Sequence, residues 1–240
     1  PCVLENFPDI GDAKITEELC RLVGSKIERS GSLLKIQTPK ITNSKVVSLS
    51  RRNRIPILAL GPLLARVGEA EVPILGGDKI GPRPVDIHIA ALTAMGAKIE
   101  VLRDRYVASA PNGLRGAKIT HRYPSVGATE NTILAAVLAE GRTEIRNAAM
   151  EPEIMDLIKM LQKMGALISF GANRTIYIDG VKKMRGVTHV VMPDRNEAVS
   201  FACLAVITGG RILVKEARQE DLAGFLNVLR KIGGEYEVVP

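Results

Sequence analysis

The sequence predicts an α/β protein whose apolar helices lie buried inside mixed sheets, assembled from βαβαββ repeats. Three observations carry this. A helix ending in apolar-Gly-small, followed by a strand, recurs four times with its glycines about seventy residues apart. A second, interleaved glycine series links helices to alternating strands. The two helices of a repeat also differ in kind: one has a polar face and the other has none. A helix without a polar face has to be buried on every side.

Along the chain, Pro1-Cys2-Val3-Leu4 is strand-like, and Leu22-Val23-Gly24-Ser25-Lys26-Ile27 closes the first helix and turns into a strand. Gly24 sits where a left-handed residue ends a helix. Ile57-Leu58-Ala59-Leu60 opens an apolar helix, with Pro56 acceptable in its first turn. Val67-Gly68-Glu69-Ala70-Glu71-Val72 then leads into an alternating strand. In residues 76–86, glycines and prolines surround Asp78 and Arg83, the composition of a catalytic lid or of a plain turn. A helical pattern starts straight afterwards, with Asp86 suited to cap it and His88 one turn in, either solvated or touching a ligand.

Ala94-Met95-Gly96-Ala97-Lys98-Ile99 repeats the first signature. Ser125-Val126-Gly127 precedes the apolar helix that holds Thr132-Ile133-Leu134-Ala135-Ala136-Val137-Leu138; it can cap that helix or offer its backbone N–H groups to a diphosphate. Glu140-Gly141-Arg142-Thr143-Glu144-Ile145 gives the next strand. Residues 153–164 form an amphipathic helix with Ile154, Leu157, Ile158 and Leu161 on one face. Lys163-Met164-Gly165-Ala166-Leu167-Ile168 closes it. Residues 198–207 are again apolar all round, Thr208-Gly209-Gly210-Arg211-Ile212-Leu213-Val214 passes to a strand, and Lys231-Ile232-Gly233-Gly234-Glu235-Tyr236 completes the first series. The abrupt strand at each end reads as a piece of a longer protein.

The net charge of +7 favours an anionic partner, and its densest cluster is Arg51-Arg52-Asn53-Arg54. Aromatics at 3% and the absence of tryptophan argue against base-stacking nucleic-acid platforms. Cys2, Cys20 and Cys203 are odd in number and far apart, and the three histidines lack metal-ligand spacing, so a reducing cytoplasm without a zinc site is expected. The longest apolar run, residues 55–65, is broken by Pro56, Gly61 and Pro62, which predicts no membrane span.

Five segments carry a resemblance. They are Ala59-Leu60-Gly61-Pro62-Leu63-Leu64-Ala65-Arg66; Gly76-Gly77 with Ile80-Gly81 and Arg83-Pro84-Val85-Asp86-Ile87-His88; Ser125-Val126-Gly127-Ala128-Thr129; Asn147-Ala148-Ala149 with Glu151-Pro152-Glu153-Ile154; and Pro193-Asp194-Arg195 with Glu197. Together they resemble the enolpyruvyl transferases, in their UDP-sugar branch, over essentially the whole chain. The resemblance implies an inside-out α/β barrel per domain, with residues 1–191 as most of a first domain and 192–240 as the start of a second.

It also implies a transferase that moves the enolpyruvyl group of phosphoenolpyruvate to the 3′-hydroxyl of UDP-N-acetylglucosamine and releases phosphate, the first committed step of peptidoglycan synthesis. No metal or organic cofactor is expected. Asp78, where many members carry cysteine, would donate the proton and resist the epoxide fosfomycin, which alkylates that cysteine. Arg54 and Arg83 would hold the anionic substrates. Pro84, Val85, Asp86 and Ile87 would cradle the nucleotide sugar, together with Tyr123, Pro124, Ser125, Val126 and Gly127. Tyr123 stands where the family often has lysine. The expectation is a cytoplasmic monomer at full length, bound to neither nucleic acid nor membrane, with the 240 residues alone inactive. A transferase for another acceptor, such as shikimate 3-phosphate, and a non-catalytic or RNA-binding relative of the fold stay open as alternatives.

Overall fold

The computed structural model describes residues 1–76 and 84–239, which divide into two units, Pro1–Val191 and Met192–Pro240. In the first unit, strand alternation decides which face is buried. In β8 (Arg142–Arg146), Thr143 and Ile145 are buried while Arg142 and Arg146 are exposed. In β10 (Thr175–Asp179), Ile176 and Ile178 point into the core.

Three sheets share one plan. β1 (Cys2–Glu5) leads through α1 (Gly11–Leu22) to the hairpin β2 (Lys26–Ser30) and β3 (Leu33–Gln37), in the order β1-β3-β2. β4 (Glu69–Pro73) leads through α3 (Asp86–Ala94) to β5 (Lys98–Val101) and β6 (Arg105–Ser109), in the order β4-β6-β5. β8 leads through α5 (Pro152–Lys163) to β9 (Leu167–Gly171) and β10, in the order β8-β10-β9. All of these pairs are antiparallel.

A parallel partner sits outside each set: β11 (Thr188–Val190) on β1, β7 (Lys118–Thr120) on β8, and a single bridge from Lys45 to Glu71 on β4. The segment from β7 to β10, with α4 (Val126–Ala136) between β7 and β8, is thus βαβαββ. Gly24, Gly96, Gly165 and Gly233 all have positive φ, as do Gly68, Gly141 and Gly209 of the second series. The repeat read from glycine spacing is the repeat of the backbone.

The helices sort as their faces require. α5 begins at Pro152, where a missing N–H costs nothing, carries Glu153 in its first turn and Lys163 in its last, and buries Ile154, Ile158 and Leu161. α4 is enclosed by α2 (Leu60–Val67), α3, α5, β8 and β10, which bury its Thr129, Asn131 and Thr132 along with its apolar residues. Ala128, Ile133, Ala135 and Ala136 are wholly buried. Apolar helices therefore lie inside and sheets outside, the inside-out α/β arrangement. The apolar segment before α2 differs from expectation in one respect: residues Ile55–Ala59 wind as a 3-10 helix that tightens into α2.

The second unit holds α6 (Arg195–Thr208), capped by the Asp194 carboxylate on the Asn196 and Glu197 amides, and α7 (Gln219–Lys231). Two expectations fail here. Burial of α6 on every side is not met, since Leu204 is 54% and Ile207 82% exposed; α7 is the one described helix packed on it within the unit. Residues 211–214 and 235–239 form no strand, because no described strand of that unit is there to pair with them. No helix among the described residues is long and apolar enough to cross a membrane.

Candidate functional site

Three segments meet at the N-terminal end of α4. The first is residues 51–54. Asn53 uses its side-chain oxygen to take the Ile55 amide at 3.1 Å, which starts the 3-10 helix, and its amide nitrogen reaches Asp12 at 2.9 Å. Arg51 donates from Nε to the Ile74 carbonyl at 2.8 Å, and the Arg51 carbonyl lies so close to Gly76 that any Cβ there would collide with it. Arg54 donates from Nη2 to the Pro84 carbonyl at 3.3 Å. Residues 51–54 are therefore fastened to both described flanks of the 77–83 segment. Asp78 and Arg83, the expected proton donor and anion clamp, lie outside the described residues.

The second segment is Pro84-Val85-Asp86-Ile87-His88. Val85 is buried and precedes α3, with no side-chain cap. Asp86 does not cap the helix as expected, because its carboxylate is engaged across the site: Arg122 donates to one oxygen from Nε at 3.0 Å and from Nη2 at 2.7 Å. That guanidinium holds the Asp86 carboxyl below the usual carboxylate range. Both side chains are exposed, so the pair orders the two segments more than it stabilises the fold.

The third segment is Arg122-Tyr123-Pro124-Ser125-Val126-Gly127. Ser125 is an N-cap as expected, its hydroxyl accepting the Ala128 amide at 3.3 Å. The Val126 and Gly127 amides belong to the open first turn, which favours negative charge. Tyr123 is 63% exposed.

Beneath this junction lies a polar hub. Asn131, fully buried in α4, accepts the Gly61 amide of α2 at 3.0 Å and donates to the Ile57 carbonyl at 3.0 Å. Its amide nitrogen also lies 3.3 Å from Nδ1 of His88. A Cβ on Gly61 would come 2.6 Å from the Asn131 carbonyl oxygen, so the absence of a side chain there lets α2 and α4 approach. His88 is only 4% exposed, which settles against a solvated histidine. Burial, then the charges of Arg54 and His121, push its pKa down to about 4 against a smaller opposing pull from Asp86. The imidazole is neutral at physiological pH.

The structure thus brings together Arg54, residues 84–87 and residues 123–127. Arg122 and Asn131 escaped the sequence reading. Asn131 had a visible signal, an amide in a helix otherwise read as apolar; Arg122 had none beyond its charge. Among the described residues no cluster of three His, Cys, Asp or Glu side chains could hold a metal ion.

One further acid in α4 has a measurable consequence. Burial, reinforced by the charge of Glu153, raises the Glu130 pKa from 4.5 to about 7. A carboxyl with a raised folded pKa keeps its proton in the fold, so stability falls as pH rises from 4.5 to about 7 and stays lowered above that. Glu130→Gln is expected to exceed the parent in stability by about 2–3 kcal/mol at pH 8 and to match it near pH 4. Urea unfolding at the two pH values checks this; an equal difference at both would contradict it.

Comparison with known proteins places the chain in context. The EPSP synthase (3-phosphoshikimate 1-carboxyvinyltransferase) family matches residues 1–239. UDP-N-acetylglucosamine 1-carboxyvinyltransferase of Chlamydia abortus is 51% identical over 241 residues, covering 99% of this chain and 54% of the relative. The enzyme of the same name from Acidiphilium cryptum is 46% identical over 231 residues, covering 96% and 55%. The chain therefore spans about half the length of the curated relatives it matches. Among solved structures, the enolpyruvyl transferase NikO from Streptomyces tendae superposes with a TM-score of 0.78 at 19% identity, over 99% of this chain and 58% of that one. EPSP synthase from Acinetobacter baumannii gives 0.63 at 20% identity, over 86% and 48%. At such identities the superpositions speak for the fold.

Proposed function

The chain belongs to the EPSP synthase (3-phosphoshikimate 1-carboxyvinyltransferase) family, and from that membership we propose that the full-length protein transfers the enolpyruvyl group of phosphoenolpyruvate to the 3′-hydroxyl of UDP-N-acetylglucosamine. The observation that carries this reading is the convergence of Arg54, residues 84–87 and residues 123–127 through the Arg54–Pro84 and Asp86–Arg122 bonds. Identity near 50% to relatives named for that acceptor supports the nucleotide sugar over shikimate 3-phosphate. The chain would supply one face of a cleft, in the cytoplasm, for a monomeric enzyme.

In the proposed reaction the 3′-hydroxyl gives its proton to a base as its oxygen adds to C2 of phosphoenolpyruvate, while C3 takes a proton from an acid. The resulting ketal loses phosphate and a proton from C3, which restores the double bond. Asp78 is the proposed donor to C3. An ordinary aspartic acid, with a pKa of about 3.9, would be ionised at neutral pH, so burial beside anionic substrate has to raise it. Arg54 and Arg83 are proposed to neutralise carboxylate and phosphate, a task suited to a planar fork that never deprotonates. The first turn of α4, with Ser125, Val126 and Gly127, would receive the diphosphate.

Phosphate release tests the reading on the full-length protein. Release should require both phosphoenolpyruvate and UDP-N-acetylglucosamine. Arg54→Lys should lower kcat/KM for phosphoenolpyruvate roughly 10²-fold, the cost of a charged hydrogen bond. Release that ignores the nucleotide sugar would defeat the proposal, as would tight RNA binding without turnover.

A further inference from the structure

We infer that Asp12 and Asn53 are positioning residues for the proposed reaction: the hydrogen bond between their side chains ties the backbone that carries Arg54 to α1. The inference rests on the reading of Arg54 as a ligand of phosphoenolpyruvate, and it names what keeps that ligand in register.

Arg54 needs such support because of where it stands. Residues 50–54 lie in neither helix nor strand, so no regular ladder fixes them. The Arg54 backbone has φ −101° and ψ 1°, in the sparsely populated bridge region. Asn53 closes a local turn around it. The Asn53 side-chain oxygen accepts the Ile55 amide at 3.1 Å, a bond that spans residue 54, and the Arg54 carbonyl accepts the Ile57 amide at 3.3 Å. Pro56, between those two amides, has no N–H to satisfy.

A local turn can still swing as a unit, and Asp12 prevents that. With its oxygen committed to Ile55, the Asn53 amide can sit only one way round, and its nitrogen donates to the Asp12 carboxylate at 2.9 Å. A charged acceptor makes this bond stronger than one between neutral groups. Asp12 is a firm anchor: it lies in the first turn of α1, where a carboxylate suits the helix dipole, and the neighbouring Ala13 and Ile15 are buried. Arg51, bonded to the Ile74 carbonyl, fixes the same segment to the chain leaving β4. The Asp12–Asn53 bond is exposed, so its loss should cost the fold little. Its consequence falls on the placement of Arg54.

Steady-state phosphate release by the full-length protein, beside urea unfolding, tests this. Asp12→Ala should lower kcat/KM for phosphoenolpyruvate about tenfold, carried by KM, with the KM for UDP-N-acetylglucosamine and the urea midpoint nearly unmoved. Asn53→Asp should do the same, because it sets two carboxylates face to face. Asp12→Asn keeps an acceptor and should stay near the parent. The decisive variant joins Asp12→Asn with Asn53→Asp. The carboxylate at position 53 still takes the Ile55 amide, the amide at position 12 donates to it, and kcat/KM should return to within about twofold of the parent. A double variant as weak as Asn53→Asp alone would overturn the inference. So would Asp12→Ala with the parent's KM, or with a loss of activity that tracks a lowered urea midpoint. Each of these leaves the reading of Arg54 standing. A parent that releases no phosphate from phosphoenolpyruvate and UDP-N-acetylglucosamine would defeat the reading and the inference together.

Discussion

Asn131→Leu is expected to destabilise the first unit by roughly 3–5 kcal/mol, a large effect for a substitution that nearly preserves volume. Leucine fills the space, so the loss is not that of a cavity. It strands two buried groups, the Gly61 N–H and the His88 Nδ1, and removes one of two donors from the Ile57 carbonyl, which keeps the Leu60 amide. Each buried orphan costs about 1–3 kcal/mol, and the two share one side chain with the weakened Ile57 carbonyl, so the contributions are not simply additive. Urea denaturation of the full-length protein gives the magnitude. Hydrogen exchange locates it, since the Gly61 amide should lose protection before amides of the outer sheets. A midpoint shift worth under 1 kcal/mol would mean that α2, α3 and α4 are held together by apolar packing alone.

Asp78→Ala is expected to lower kcat about 10³-fold with little change in substrate affinity, the usual scale for losing a general acid. Asp78→Cys should keep turnover and gain sensitivity to fosfomycin, because a thiolate opens an epoxide far more readily than a carboxylate does. The parent should be insensitive to the drug. Stopped-flow phosphate release reads the first effect, and intact mass after incubation with fosfomycin reads the second. Rapid covalent labelling of the parent at Asp78 would contradict the assignment, and so would full activity in Asp78→Ala.

What could be read in the sequence was whatever repeats or alternates. The glycine at the end of each amphipathic helix is forced by backbone geometry, and Gly24, Gly96, Gly165 and Gly233 all adopt the positive φ that their spacing suggested. The apolar pattern of α4 required enclosure, and Ile133, Ala135 and Ala136 are wholly buried. The same pattern misled for α6, because a helix shows only that it needs cover, not whether the cover lies within its own unit. Cross-chain polar partners were illegible. Nothing periodic links Asp86 to Arg122, 36 residues away, or Asn131 to Gly61, 70 away. Arg54, residues 84–87 and residues 123–127 were picked out by resemblance, while the bonds that draw them together had to come from the fold.

We propose that this chain forms one face of a site that makes an enolpyruvyl ether on a nucleotide sugar. Mass spectrometry of the product tests it most directly. The full-length protein is incubated with phosphoenolpyruvate and an equimolar mixture of UDP-N-acetylglucosamine and shikimate 3-phosphate. The expected product is enolpyruvyl UDP-N-acetylglucosamine, substituted at the 3′-oxygen, with one phosphate released per ether formed and shikimate 3-phosphate recovered unchanged. An enolpyruvyl ether on shikimate 3-phosphate, or no ether on either acceptor, would contradict it.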